Sequence, residues 1–244
     1  MKNLFNLLTS LCIAITLAAC GGGGGGNSSA TPNTDAQGFW TGTSSGGYTV
    51  TTAVLDNGEV WGIYSAGSTI YGALFGTSSV SGSTITVTGT DFDFLVNTAT
   101  AGTLAGPVVA KSTMTLANAK GSVPMIYRTS YDTPATSSAI AGTWSFVGRS
   151  GSYTSVPATI TINSTGNFTL VQSTCTTSGA IVPRTGGKNV YNITLTSSGI
   201  GCAAGQSTLS GILIIDTTVT PNKFLSLALT PSKNDGLIVI GTKM

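Results

Sequence analysis

Ala158-Thr159-Ile160-Thr161-Ile162-Asn163-Ser164-Thr165-Gly166 is the stretch on which the fold turns. Ala158, Ile160 and Ile162 alternate with Thr159, Thr161 and Asn163. That period of two sends successive side chains to opposite faces of an extended strand. The strand then runs into a glycine turn at Asn163-Ser164-Thr165-Gly166, the punctuation expected between hairpin strands.

Working outward, the same alternation recurs. Tyr191, Ile193 and Leu195 alternate with Asn192 and Thr194, and Leu225, Leu227 and Leu229 with Ser226 and Ala228. Each such strand is predicted to have one buried and one solvated face. Helical periodicity is nearly absent, and Gly, Asn and Ser interrupt short runs of Val, Ile, Thr, Tyr and Phe throughout. The chain therefore reads as all-β, built of antiparallel strands. In its second half, strands are predicted at 142–149, 155–163, 167–175, 178–184, 189–196, 206–215, 223–230 and 236–242. Eight evenly spaced strands suit a meander closed into a small barrel, with a sandwich as the alternative.

The two halves also resemble each other. Gly38-Phe39-Trp40-Thr41 matches Gly142-Thr143-Trp144-Ser145, and Val54-Leu55-Asp56-Asn57-Gly58 matches Ile162-Asn163-Ser164-Thr165-Gly166. Gly82-Ser83-Thr84-Ile85-Thr86-Val87 falls beside Gly187-Lys188-Asn189-Val190-Tyr191-Asn192. Two tandem β units are expected, at 38–132 and 141–244, each of ordinary domain size. The join, 133–140, contains Pro134 and few apolar residues and reads as a linker.

Ahead of these units stand Lys2, an apolar run from Leu4 to Ala18, and Cys20 followed by six glycines. The run is too short to span a bilayer and has the flanks of a secretory signal, residues 1–19. Leu17-Ala18-Ala19-Cys20 resembles the lipobox of bacterial lipoproteins, which implies cleavage before Cys20 and acylation of that residue. Gly21 after the cysteine implies, by the rule for that family, sorting to the outer membrane, and several acyl chains make such attachment stable. Residues 20–37 then form a Gly/Ser-rich tether with a root-mean-square span of roughly 20–25 Å.

Charged residues are 7% of the chain, so Ser, Thr, Asn and Gly must supply the polar surface. The formal net charge of +2 implies no nucleic-acid partner. The charges are unevenly placed. In residues 38–130, Asp56, Glu59, Asp91 and Asp93 stand against Lys111, Lys120 and Arg128. In residues 138–244, Asp216 and Asp235 stand against Arg149, Arg184, Lys188, Lys223, Lys233 and Lys243, which makes the second half mildly basic. Scattered solvation or a basic binding face are the two readings of that split. Of the four cysteines, Cys12 leaves with the leader and Cys20 takes lipid, so Cys175 and Cys202 are expected to form a disulfide in an oxidising compartment.

Gly-x-Trp on a first strand resembles the opening of lipocalin-type barrels, and a lipidated chain with two small barrels is similar in plan to bilobed surface lipoproteins of Gram-negative bacteria. Residues 38–66, GFWTGTSSGGYTVTTAVLDNGEVWGIYSA, and the Cys175 to Cys202 region with Pro183 and Tyr191 resemble uncharacterised proteobacterial lipoproteins. Lipocalin-type barrels set an arginine against the tryptophan. Arg128 is the candidate in the first unit, and Lys243 is the residue available in the second.

Catalytic chemistry is thinly supplied. The absence of histidine removes Ser-His-Asp and Cys-His catalysis and the commonest transition-metal ligand. Gly42-Thr43-Ser44-Ser45-Gly46 fits G-x-S-x-G but lacks the strand-turn-helix setting and the base that a nucleophile needs. Asp91-Phe92-Asp93-Phe94 puts two carboxylates on one face of a strand and two rings on the other, a solvated rim over buried phenylalanines. Trp40, Trp61 and Trp144 are expected in cores, and with Tyr48, Tyr64 and Tyr71 they are also candidates for an aromatic binding surface. No enzyme activity, cofactor or metal is expected. The expected function is a binding or envelope-interaction module held at the outer membrane by lipid, with an envelope or extracellular protein as partner. A structural envelope component and a carrier of a small apolar ligand are the alternatives. A calyx of several hundred Å3 lined by apolar side chains would favour the carrier.

Overall fold

The computed structural model describes residues 35–151, 153–154, 157–202 and 205–244. The signal segment, Cys20 and the tether up to residue 34 lie outside the described residues. Eight antiparallel strands form the first barrel: β1 (Gly38–Thr43), β2 (Thr49–Val54), β3 (Glu59–Ala66), β4 (Thr69–Ser81), β5 (Thr84–Asp93), β6 (Thr98–Val109), β7 (Thr113–Asn118) and β8 (Gly121–Tyr127). Each pairs with its neighbour in sequence, and β1 closes on β8 with Trp40 opposite Tyr127. A 3-10 turn (Thr129–Asp132) and a short helix α1 (Ser137–Ile140) lead to the second barrel.

That barrel comprises β9 (Gly142–Ser150), β10 (Tyr153–Thr154), β11 (Ala158–Ile162), β12 (Asn167–Gln172), β13 (Cys175–Pro183), β14 (Tyr191–Ser198), β15 (Thr208–Asp216), β16 (Lys223–Leu229) and β17 (Gly236–Lys243). It closes where β17 pairs with β9, Lys243 opposite Trp144. The short β10 pairs with the end of β9, Thr154 opposite Arg149, and the strand predicted over 155–163 is found as β11, shorter at its start. The other predicted strands match β9 and β12 to β17 to within a few residues, and the architecture is two tandem meander barrels rather than sandwiches.

Among the described residues, three apolar cores hold the barrels together. Trp40, Val60, Ile85, Val87 and Met114 fill the first barrel, and Trp144, Tyr191, Leu209, Leu213 and Phe224 fill the second. The third core lies between the barrels, where Phe39, Trp61, Ile63, Phe92 and Phe94 meet Ile212, Ile214, Leu227, Leu229 and Ile238. Strands serving an interior and the shared core must be apolar on both faces, which explains the unbroken run Ile212-Leu213-Ile214-Ile215. The expectation of a solvated face is corrected for β16: Leu227 and Leu229 face the other barrel, while Ser226 and Ala228 face their own interior. On β14 the expectation holds, with Tyr191, Ile193 and Leu195 buried and Asn192 and Thr194 exposed.

Charge sets the seam. Arg184 of the second barrel pairs with Asp56 at 3.6 Å and Glu59 at 3.9 Å in the first. Arg149 donates to the backbone carbonyls of Ile70 at 2.9 Å and Phe94 at 2.5 Å, and Lys233 sits 4.5 Å from the Phe75 ring centroid. The connection between barrels is packed rather than loose. Tyr131 is buried, Asn189 Nδ2 donates to Ser130 O at 3.0 Å and Ile215 O at 2.5 Å, and Tyr191 Oη donates to Thr136 O at 2.9 Å. The first barrel also begins earlier than the sequence predicts. Ala36, read as tether, is fully buried and accepts the Trp40 Nε1 hydrogen bond at 3.0 Å.

Candidate functional site

Each barrel is plugged at one end by its tryptophan. In the second, Trp144 is fully buried and its Nε1 donates to Ile140 O at 2.8 Å, so α1 caps the barrel floor. Lys243 Nζ lies 5.3 Å from the Trp144 ring centroid and donates to Ala139 O at 3.0 Å, taking the position the sequence reading gave it. Phe224 meets Trp144 edge-on at 5.1 Å. It can do so because Gly241, its cross-strand partner, leaves room: a side chain there would collide with the Phe224 ring.

Toward the other end the interior empties. Leu170, Thr177, Ser197 and Ser226 follow the large rings, and a cavity of about 500 Å3 remains. Its wall is mostly apolar, with Phe146, Ile160, Phe168, Ile193, Leu195 and Val239 among the lining residues. That size is in the range of small-molecule sites. Three of the polar groups reaching it, on Ser226, Thr177 and Ser197, have partners. Ser226 Oγ donates to Ile212 O at 3.0 Å, and the Thr177 and Ser197 hydroxyls lie 3.0 Å apart. Arg149 borders the cavity, but its guanidinium is spent on the Ile70 and Phe94 carbonyls of the first barrel. Among the described lining residues no other charged side chain occurs. The site is therefore suited to an uncharged apolar molecule, because a buried ion would find no counter-charge.

Gln172, Ser173, Thr174, Cys175 and Gly201 lie at its rim. Here the expected disulfide is found: Cys175 and Cys202 are bonded, with Cα atoms 5.0 Å apart. Cys175 opens β13, and Cys202 follows β14, so the bridge ties the loop after β14 to the start of its hairpin neighbour. The Thr174 hydroxyl bonds to Ile200 O across the same rim.

The first barrel repeats the plan with different chemistry. Trp40 closes its floor, met edge-on by Tyr127 at 5.2 Å rather than by a cation. Arg128, the arginine expected against Trp40, instead pairs with Asp216 of the second barrel at 3.2 Å. The opposite end holds a cavity of about 370 Å3 bordered by Tyr48, Tyr64, Asp91, Asp93 and Lys120.

The remaining candidates fall out as follows. Ser44 Oγ accepts from Tyr48 N–H at 3.0 Å and Ser45 Oγ from Ser122 N–H at 3.2 Å, so the G-x-S-x-G serines hold the β1–β2 connection together and tie it to β8. Phe92 and Phe94 are buried as expected, while Asp91 and Asp93 border the first barrel's cavity. Trp40 and Trp144 are core, and Trp61 belongs to the seam. Tyr48 lies 5.0 Å from Tyr71 and 6.0 Å from Tyr64, so the tyrosines gather at the first barrel's mouth. Sequence reasoning missed both cavities as places. Ser226 was the available signal, a small polar residue between leucines that turns inward once the leucines are covered.

No family model and no curated protein matches the chain. Among solved structures, the chain is similar to the crystal structure of a protein of unknown function from the DUF3598 family of Nostoc punctiforme, at 8% identity and a TM-score of 0.25, covering 87% of this chain and 97% of that one.

Proposed function

We propose that the protein is a carrier of a small, uncharged apolar molecule, held in the second barrel, with the first barrel as its rigid partner. The observation that supports this reading is the cavity of about 500 Å3, apolar in its wall and lacking a free charge among its described lining residues. A cavity of that kind favours a carrier over a purely structural or surface-contact role. The lipobox-like Leu17-Ala18-Ala19-Cys20 supports acylation at Cys20 and tethering at the outer membrane, where a carrier of apolar cargo would have work to do. The parallel floors, Trp40 on Ala36 O and Trp144 on Ile140 O, support descent of the two barrels from one repeated unit.

The test uses N-phenyl-1-naphthylamine, a neutral dye that brightens in apolar surroundings. The wild-type protein should bind it saturably. Leu170→Trp, which places an indole in the cavity, should weaken binding by about tenfold or more while leaving the thermal unfolding midpoint within a few degrees. Unchanged binding in Leu170→Trp, or none in the wild type, would sink the proposal.

A further inference from the structure

We propose that the open end of the first barrel is a second and different site, which takes a small amphiphile carrying a protonated amine. The apolar body would enter the barrel, and the ammonium would lie between Asp91 and Asp93. This site does not rest on the cavity of the second barrel.

Strand parity carries the argument. On β5, Ile85 and Val87 belong to the interior core, and residues two apart share a face. Asp91 and Asp93 continue that inward face, whereas Phe92 turns the other way into the seam between barrels. Two carboxylates thus stand at the mouth of a barrel whose deeper wall is Val50, Leu74, Leu104, Leu116 and Met125, with Asp93 also bordering the neighbouring cleft beside Phe94 and Ser150. Asp91 is exposed at the mouth and Asp93 is half-buried, so the two offer counter-charge to a cation whose apolar body enters the barrel.

Their present partners leave capacity. Asp91 Oδ1 accepts from the Tyr64 hydroxyl at 3.0 Å, and Asp93 Oδ1 accepts from Leu95 N–H at 2.8 Å. Among the described residues neither forms an ion pair. Lys120, also at the mouth, acts on Asp91 only through space. With two acids and one base, the mouth is net negative. The Asp91 carboxyl is pushed up from its ordinary value, first by burial and then by the charge of Asp93, against the opposing pull of the Tyr64 hydroxyl and Lys120. A bound ammonium would relieve that discomfort.

The aromatic ring of the mouth fits the same ligand. Tyr48 and Tyr64 both border the cavity, and their electron-rich faces attract an organic cation. A bare metal ion fits less well, since calcium asks for six to eight oxygens and the wall below the acids is hydrocarbon. An alkylammonium uses both halves of the site.

The experiment compares n-octylammonium, n-octanol and n-octanoate by calorimetry, each titrated into the wild type, Leu170→Trp and the double variant D91N/D93N. Both asparagines can still accept the Tyr64 and Leu95 hydrogen bonds, so the fold should persist. Octylammonium should bind the wild type and Leu170→Trp alike, about tenfold or more tighter than octanol at low salt, and lose that advantage in D91N/D93N. High salt should erase part of the preference for the cation and leave octanol unmoved. Should the double variant fail to fold, the wild-type ranking and its salt dependence decide. Equal binding of octylammonium and octanol would overturn the inference, as would D91N/D93N binding octylammonium like wild type. Loss of octylammonium binding in Leu170→Trp would also overturn it, by assigning the ligand to the second barrel.

Discussion

At Trp40 and Trp144 the two barrels do the same thing with different neighbours. Each indole N–H reaches a carbonyl four residues earlier in the chain, which ties the approach segment to the first strand and closes the floor. Opposite each indole on the closing strand stands Tyr127 in one barrel and Lys243 in the other, one contributing a ring edge and the other a cation over the ring. The indole is thus a hydrogen-bond donor in a dry place as well as apolar volume. Trp144→Phe would keep a ring but leave Ile140 O without its donor and a gap beneath Lys243. A loss of about 2–4 kcal/mol is expected from orphaning a buried acceptor and opening a cavity. Urea unfolding checks this; a loss below about 1 kcal/mol would mean the hydrogen bond is replaced by water.

Among elements, β14 and β16 show what the sequence can and cannot say. On β14 the alternation of Tyr191, Ile193 and Leu195 with Asn192 and Thr194 reads directly as inside and outside, because that strand meets solvent on one face. On β16 the same alternation misleads. The second barrel's Leu227 and Leu229 are covered by the first barrel, so Ser226 is the inward residue, and nothing local in the sequence encodes a partner surface. The cavity was hidden for that reason, although the strands enclosing it were legible. The connection 133–140 was also legible as a join but not as a docked one. Asp132, just before it, accepts from Lys188 at 2.8 Å and Lys111 at 3.1 Å, so one carboxylate pins both barrels. Burial alone would push its carboxyl up, but the two lysines outweigh that and hold it below its ordinary value. A carboxyl lowered in the folded state contributes stability above its unfolded value, near about 3.9, and loses it as pH falls through the folded value. Asp132 is partly exposed, so Asp132→Asn should cost only roughly 0.5–1 kcal/mol at neutral pH. The difference from wild type should shrink toward zero under strong acid. A pH-independent difference in urea midpoints would show that the carboxylate acts through packing alone.

At the largest scale, the described residues form one body with two interiors and a third core between them. The unequal charge of the halves, visible in the sequence, finds its use there: basic Arg184 meets Asp56 and Glu59, and Lys233 covers Phe75. What looked like scattered solvation or a face for an outside partner is partly an internal seam. The seam also explains why the strands around it carry apolar residues on both faces, a pattern that would be a liability on an isolated barrel. Expressed alone, residues 133–244 would expose Ile212, Ile214, Leu227, Leu229 and Ile238 together on one side. That segment should therefore self-associate, whereas the two-barrel body should run as a monomer on size-exclusion chromatography and unfold in one transition. Cooperativity follows because opening either barrel strips cover from the other, so neither gains by unfolding first. A soluble, monomeric second barrel with unchanged circular dichroism would show that the seam joins two independent bodies. In that case the two ligand sites would be separable, and the proposed carrier function would survive in half the chain.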